Sequence, residues 1–219
     1  MSGYIFATAV TAIFIIFSTR FIYLVYETIK NKRLTYERRC QEPVKTMIVI
    51  GSGGHTAEML KMIQGIDYNK YRPRIYAMAS NDITSEMRII SHEYAIDQDN
   101  GDYVVMKIPR SRNVGQSYLT SVLTTVYSIF LCIPQMLYYN PKLILCNGPG
   151  TCIPICLIAF LMRVFYLSEN KIIFIESICR VKTLSLTGYI LLFFADVIYV
   201  QWPELKNKYP RVVYIGNLI

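Results

Sequence analysis

Apolar residues follow three rhythms along this chain. The first is a nearly unbroken run from Tyr4 to Tyr26, interrupted by a single charge at Arg20. A helix crossing a bilayer needs about 20 such residues, so the run is long enough to span. Arg20 lies toward its C-terminal end, where its side chain can snorkel to the interface beside Tyr23 and Tyr26. No basic residue precedes the run and no small-x-small cleavage site follows, which favours an anchor over a secretory signal. Lys30, Lys32, Arg33, Arg38 and Arg39 come next, and Pro43 closes the stretch. Positive charge on this flank predicts that the rest of the chain stays on the cytosolic side. The expected organisation is a transmembrane anchor over 1–29, a basic linker over 30–44 and a folded domain over 45–219.

The second rhythm is short apolar runs alternating with helical patterns. Thr46–Ile50, Arg74–Met78, Tyr103–Ile108, Lys142–Cys146, Lys171–Ile175, Val197–Val200 and Val212–Ile215 read as strands, with helices beginning near Thr56, Ile83, Ser117, Cys152 and Leu184. Such alternation predicts right-handed βαβ crossovers and an α/β, Rossmann-like, doubly wound parallel sheet. The third rhythm is Tyr118–Tyr139, uncharged and long enough to span. Ser117, Ser121, Thr124 and Ser128 recur there at helical spacing, with Val122, Val126, Ile129 and Ile133 on another face. That segment is expected to be an amphipathic helix, buried or lying in the membrane surface. Cys152–Leu167 and Leu184–Phe194 are expected to be core or membrane-contacting helices.

Composition agrees with membrane contact: 53% of the 219 residues are hydrophobic and only 17% charged. A formal net charge of +8 suits an anionic partner such as lipid headgroups or phosphates. A nucleic-acid partner is not expected, because no basic recognition helix or stacking motif appears. The six cysteines form no C-x-x-C pair and only two histidines exist, so no metal site is expected. No cofactor is expected either.

Candidate chemistry sits in the turns that follow strands. Gly51-Ser52-Gly53-Gly54-His55-Thr56 joins a strand to a helix, where free N–H groups and the helix dipole favour an anion. Asn147-Gly148-Pro149-Gly150-Thr151 repeats that arrangement after another strand. Two such loops at one sheet edge make a cleft, beyond the strands' carboxyl ends where ligands of these sheets bind. Arg110 and Arg112 follow a third strand, and their guanidinium forks suit a diphosphate, unless they are merely solvated. Glu176 ends the strand Lys171–Ile175, as a base, a hydroxyl-orienting group or simply a partner of Arg180. Other signatures fail. Thr56 stands where a dinucleotide fingerprint needs its third glycine, no Walker lysine follows, and no G-x-S-x-G elbow exists. Asp97-Gln98-Asp99 has a metal-binding carboxylate spacing but lies beside Asn100-Gly101, which reads as a turn.

At Gly51–Thr56, Ile108–Arg112 with Gly115–Ser117, Cys146–Pro154, Ile175–Arg180 and Val200–Tyr209 the chain resembles a known family. This is the asparagine-linked glycosylation protein 14 family, the membrane-anchor subunit of a two-subunit UDP-N-acetylglucosamine transferase. The resemblance spans Lys45 to the C-terminus. It implies the N-terminal, acceptor-side half of a GT-B glycosyltransferase, preceded by one transmembrane helix and inactive alone. It implies a soluble catalytic subunit as partner, carrying the UDP-GlcNAc-binding half, and GlcNAc-diphosphodolichol as acceptor of the second GlcNAc. The location implied is the cytosolic face of the endoplasmic reticulum membrane and the nuclear membrane continuous with it. In site terms it implies His55 as general base, with Glu176 as the alternative. It gives Gly51, Ser52, Gly53, Gly54, Thr56, Arg110, Arg112, Asn147, Gly148, Gly150 and Thr151 to the acceptor diphosphate. The apolar tail Tyr214, Ile215, Gly216, Asn217, Leu218 and Ile219 would dock the catalytic subunit. The chain ends after one βαβ array, which fits half of a two-domain enzyme. The rivals are a pure scaffold without site residues, a self-sufficient enzyme acting on lipid-linked sugars, and a bacterial-type subunit of polysaccharide synthesis.

Overall fold

The runs of Val, Ile, Met and Tyr form seven strands in one wholly parallel sheet. They are β1 Thr46–Val49, β2 Arg74–Ala79, β3 Tyr103–Ile108, β4 Leu143–Asn147, β5 Lys171–Ile175, β6 Val197–Val200 and β7 Val213–Tyr214. This computed structural model describes residues 2–31, 43–96, 102–110, 116–148 and 150–218. Arg112, Ile219, the linker charges from Lys32 to Arg39 and Asp97-Gln98-Asp99 lie outside the described residues.

The strand order is β3-β2-β1-β4-β5-β6-β7, so the order reverses between β1 and β4. Val49 pairs with Cys146 across that switch, which sets the two glycine loops side by side at the carboxyl edge. Successive residues of a strand face opposite sides, and the core divides accordingly. Met47 and Val49 join Cys146, Phe160 and Phe174 on one face. Ile48 and Ile50 join Met59, Ile63 and Ile89 on the other. The second face is covered by α2 (Gly54–Ile63) and α3 (Ile83–Ile96), the first by α4 (Tyr118–Tyr139), α5 (Cys152–Val164) and α6 (Leu186–Leu191), and α7 (Pro203–Lys208) leads into β7. Two buried arginines are paired with buried carboxylates, as burial demands. Arg163 lies 2.7 Å from Asp196, and Arg74 2.6 Å from Glu93.

The N-terminal run is one helix, α1 (Ser2–Ile29). Tyr4, Phe6, Val10 and Phe14 are exposed, whereas Leu24 and Thr28 are buried against the domain. Phe17 packs edge-on to Phe165, Arg20 donates to the Arg163 carbonyl at 3.2 Å, and its guanidinium lies over the Tyr166 ring. The apolar length free of the domain is therefore the first half of α1, with its second half seated on α5.

α4 forms as its sequence predicts, but its faces divide differently: Ile129 and Ile133, expected on the apolar face with Val122 and Val126, pack against the core beside Ser128, while Ser117 of the expected polar stripe is exposed. Ser128 is fully buried and donates to the Pro109 carbonyl at 3.1 Å, beside buried Cys132 and Met136. Val122, Leu123, Val126, Tyr127, Phe130, Leu131, Leu137 and Tyr138 form an exposed apolar stripe. α5 is a core helix.

Candidate active site

The loop after β1 turns because Gly53 takes a positive φ of 65°, which frees α2 to start at the next residue. Gly51 is buried, while Ser52, Gly53 and Gly54 are exposed along the rim. Thr56 points inward: its hydroxyl donates to the Gly51 carbonyl at 2.5 Å and meets Ser85 Oγ at 2.7 Å. It locks the loop's shape from within. His55 is left at the helix entrance with its side chain about a third exposed, at 35%.

Asn147 ends β4 fully buried, and its Oδ1 lies 3.1 Å from His55 Nδ1. Gly148 follows with φ of 86°, and a Cβ there would stand 2.4 Å from His55 Nδ1. The imidazole therefore lies directly against a glycine backbone. Thr151 caps α5; it is only 9% exposed, and its hydroxyl has no hydrogen-bond partner among the described residues. An orphan hydroxyl at a helix N-terminus is an arrangement that a bound anion would complete.

Glu58, one turn along α2 from His55, is the residue the sequence reading missed. Its Oε2 is 3.5 Å from His55 Nδ1 and its Oε1 accepts the Ile178 N–H at 2.8 Å and Gln201 Nε2 at 3.2 Å. Both acceptors near the ring, Asn147 Oδ1 and Glu58 Oε2, approach Nδ1. They hold the proton on Nδ1 and leave Nε2 with its lone pair. The hydrogen bond to Glu58 raises the His55 pKa above its ordinary value, against the opposing effect of burial. Burial by itself pushes Glu58 up, but the bonds from His55 and the Ile178 N–H bring it below its ordinary value.

Glu176 is 1% exposed. Its Oε2 accepts the Ser185 N–H at 2.8 Å and the Ser185 hydroxyl at 3.1 Å, and its Oε1 the Ser177 N–H at 3.3 Å. Burial raises its pKa, and Arg180 acts on it only through its charge. The carboxylate thus holds the start of α6 through Ser185, whose hydroxyl in turn caps Gly188. Arg110 stands half-buried just past β3, at the same sheet edge. In the tail, Ile215 extends the sheet by donating to the Val200 carbonyl at 3.1 Å, and Tyr214 and Leu218 are 47% and 40% exposed.

A switch-point cleft walled by two glycine loops, on a parallel sheet behind an apolar N-terminal helix, defines the class: a Rossmann-like domain of the GT-B glycosyltransferase type. The MurG structure of Acinetobacter baumannii superposes with a TM-score of 0.53 at 17% identity, covering 74% of this chain and 43% of that one. This chain belongs to the family described as oligosaccharide biosynthesis protein Alg14 like, whose profile matches residues 46–218. It is 47% identical over 178 residues to the UDP-N-acetylglucosamine transferase subunit ALG14 of Rattus norvegicus, covering 79% of this chain and 82% of that protein. The Mus musculus protein of the same name is 45% identical over 185 residues, covering 82% and 85%.

Proposed function

We propose that this chain is the membrane-anchoring, acceptor-binding subunit of a UDP-GlcNAc transferase that adds the second GlcNAc to GlcNAc-diphosphodolichol. It recruits a soluble catalytic subunit, which brings the nucleotide sugar, to the cytosolic face of the endoplasmic reticulum, and it is inactive alone. The observation that carries this reading is His55, gripped at Nδ1 by Asn147 and Glu58, so that neither contact takes up Nε2. In that tautomer Nε2 takes the proton from the acceptor's 4-hydroxyl as its oxygen attacks the anomeric carbon, while the bond from that carbon to UDP breaks and UDP leaves, so the configuration inverts. The base is His55 rather than Glu176, whose carboxylate is committed to Ser185 and Ser177.

The diphosphate lies across the rim of Ser52–Gly54, Gly148 and Gly150, against the Thr151 hydroxyl and the α5 N-terminus, with Arg110 and Arg112 on its outer oxygens. Thr56 supports the loop from inside. The lipid enters along α4, because α4 starts at the sheet edge that carries the loops and turns its apolar stripe outward. α1 anchors the chain in the bilayer, its exposed half leading, and Tyr214–Leu218 docks the partner. In the assembled two-subunit enzyme, His55→Ala is expected to lower kcat by at least ~10²-fold with assembly intact. Near-normal turnover would remove His55 from the chemistry.

A further inference from the structure

Gln201, just beyond β6, is 3% exposed and uses its whole amide. Nε2 donates to Glu58 Oε1 at 3.2 Å and to the Glu176 carbonyl at 3.2 Å, while Oε1 accepts the Leu218 N–H at 3.2 Å. The contacts run from the C-terminal tail through Gln201 and Glu58 to His55.

We propose, resting on the reading of His55 as base, that Gln201 is a positioning residue through which the tail sets the catalytic imidazole. An amide has two faces of opposite chemistry. Turned over, it would set Oε1 against the Glu58 carboxylate and the Glu176 carbonyl and its NH2 against the Leu218 N–H, three repulsions in place of three hydrogen bonds. The Leu218 N–H is what fixes the productive orientation from the tail side. With the tail displaced, Oε1 loses its partner, the orientation of Nε2 relaxes, and Glu58 loses one of the donors that hold it against Nδ1. Tyr214 and Leu218 expose their side chains on the same tail, so a subunit seated there holds this link in place. Docking then completes the base as well as delivering the donor sugar.

The full-length chain, assembled with a saturating excess of its soluble partner, is assayed with UDP-GlcNAc and GlcNAc-diphospho-lipid. Gln201→Met, close in volume but without the amide, is expected to lower kcat by ~10-fold, the scale of a lost positioning contact. The acceptor KM stays near that of the unaltered enzyme. The acid limb of the pH–kcat profile moves to lower pH. The charges facing His55 are Glu58 on its own helix and Glu176 past β5, the latter under the influence of Arg180, while Arg88 of α3 bonds to the Gly53 carbonyl at 3.1 Å. Glu58 is the chief cause of the raised His55 pKa, so loosening it lets that pKa fall. Leu218→Pro removes the N–H from the other side and is expected to shift the limb likewise. Leu218→Ala keeps the N–H and leaves the limb in place while weakening partner binding. An unchanged kcat and limb in Leu218→Pro overturns the link, including where Gln201→Met fails to fold. If His55→Ala is inactive while both link variants behave as wild type, only the link falls; if His55→Ala is active, the base assignment falls with it.

Discussion

At the scale of single residues the site is decided by how closely two backbones approach one ring. Gly148 carries φ of 86° and leaves no room for a Cβ, which would stand 2.4 Å from His55 Nδ1. Gly148→Ala is therefore expected to strain the backbone by about 1–2 kcal/mol. It should also swing the imidazole off Asn147, lowering kcat ~10²-fold with a far smaller fall in thermal stability. Kinetics and melting measured on one preparation check this; equal turnover would mean that the ring position is immaterial. Glu58→Gln keeps an acceptor oxygen but removes the charge that raises the His55 pKa. A base must be neutral to act, so the acid limb of kcat should move to lower pH. The stability signs follow separately. His55, with its pKa raised, contributes stability fully below its ordinary 6.5, and that contribution is lost as pH rises through the folded value. Glu58, with its pKa lowered, contributes above its ordinary 4.5 and loses that contribution as pH falls through the folded value. Glu58→Gln should flatten unfolding free energy against pH across that window, measured by denaturant titration; an unchanged curve would deny the pairing. His55 was legible in the sequence because a titratable residue beside glycines at a helix start is conspicuous. Glu58 had a weaker signal, three residues along the same helix. Gln201 had none, since its partners come from 17 to 143 residues away.

At the scale of elements the strands were readable almost to the residue, because parallel strands buried on both faces are near-continuous apolar runs. The β1 and β2 strands are buried at every position. The orientation of α4 was not readable, since helical periodicity gives two faces without saying which meets the sheet. The answer here is apolar on both sides: Ser128 meets the domain together with Cys132, Met136, Ile129 and Ile133, while Val122, Val126 and Phe130 meet the surroundings. On the proposed reading, that outward apolar face starting at the cleft edge lies against lipid. Val126→Asp with Phe130→Asp sets charge in that face. The penalty for placing a carboxylate toward hydrocarbon is about 1–3 kcal/mol, so KM for a lipid-linked acceptor in vesicles should rise by ~10-fold or more. KM for a short-chain, water-soluble analogue should not move. Equal effects on both acceptors would assign the stripe to protein packing instead.

At the scale of the whole molecule, anchor and domain are joined by more than the covalent chain. The run of α1 was legible as one long apolar helix, but its seating was not, because Leu24 and Val25 are of the same apolar kind as the exposed positions before them. Arg211, just before β7, makes the seam. Nε donates to the Thr28 carbonyl of α1 at 3.0 Å, and its terminal nitrogens donate to the carbonyls of Leu191, Leu192 and Ala195. Burial pushes its pKa down to about 10, so it remains a cation at neutral pH. Its role is to satisfy carbonyls at the end of one helix and the exit of another, which a shorter or apolar side chain would leave stranded. On the proposed reading, a seated α1 fixes the tilt of the domain on the bilayer, and that tilt decides whether the α4 stripe lies on lipid. Arg211→Met should cost about 2–3 kcal/mol, the scale of losing charge-assisted hydrogen bonds, read as a lower denaturant midpoint. The chain should stay in the membrane, since the exposed half of α1 is untouched. KM should nevertheless rise for the lipid-linked acceptor and stay level for the water-soluble analogue, as for the α4 variant. Combining Arg211→Met with the α4 pair should then give less than the sum of the two effects on KM, because both act through one contact with the bilayer. Full additivity would mean that the anchor and α4 work independently.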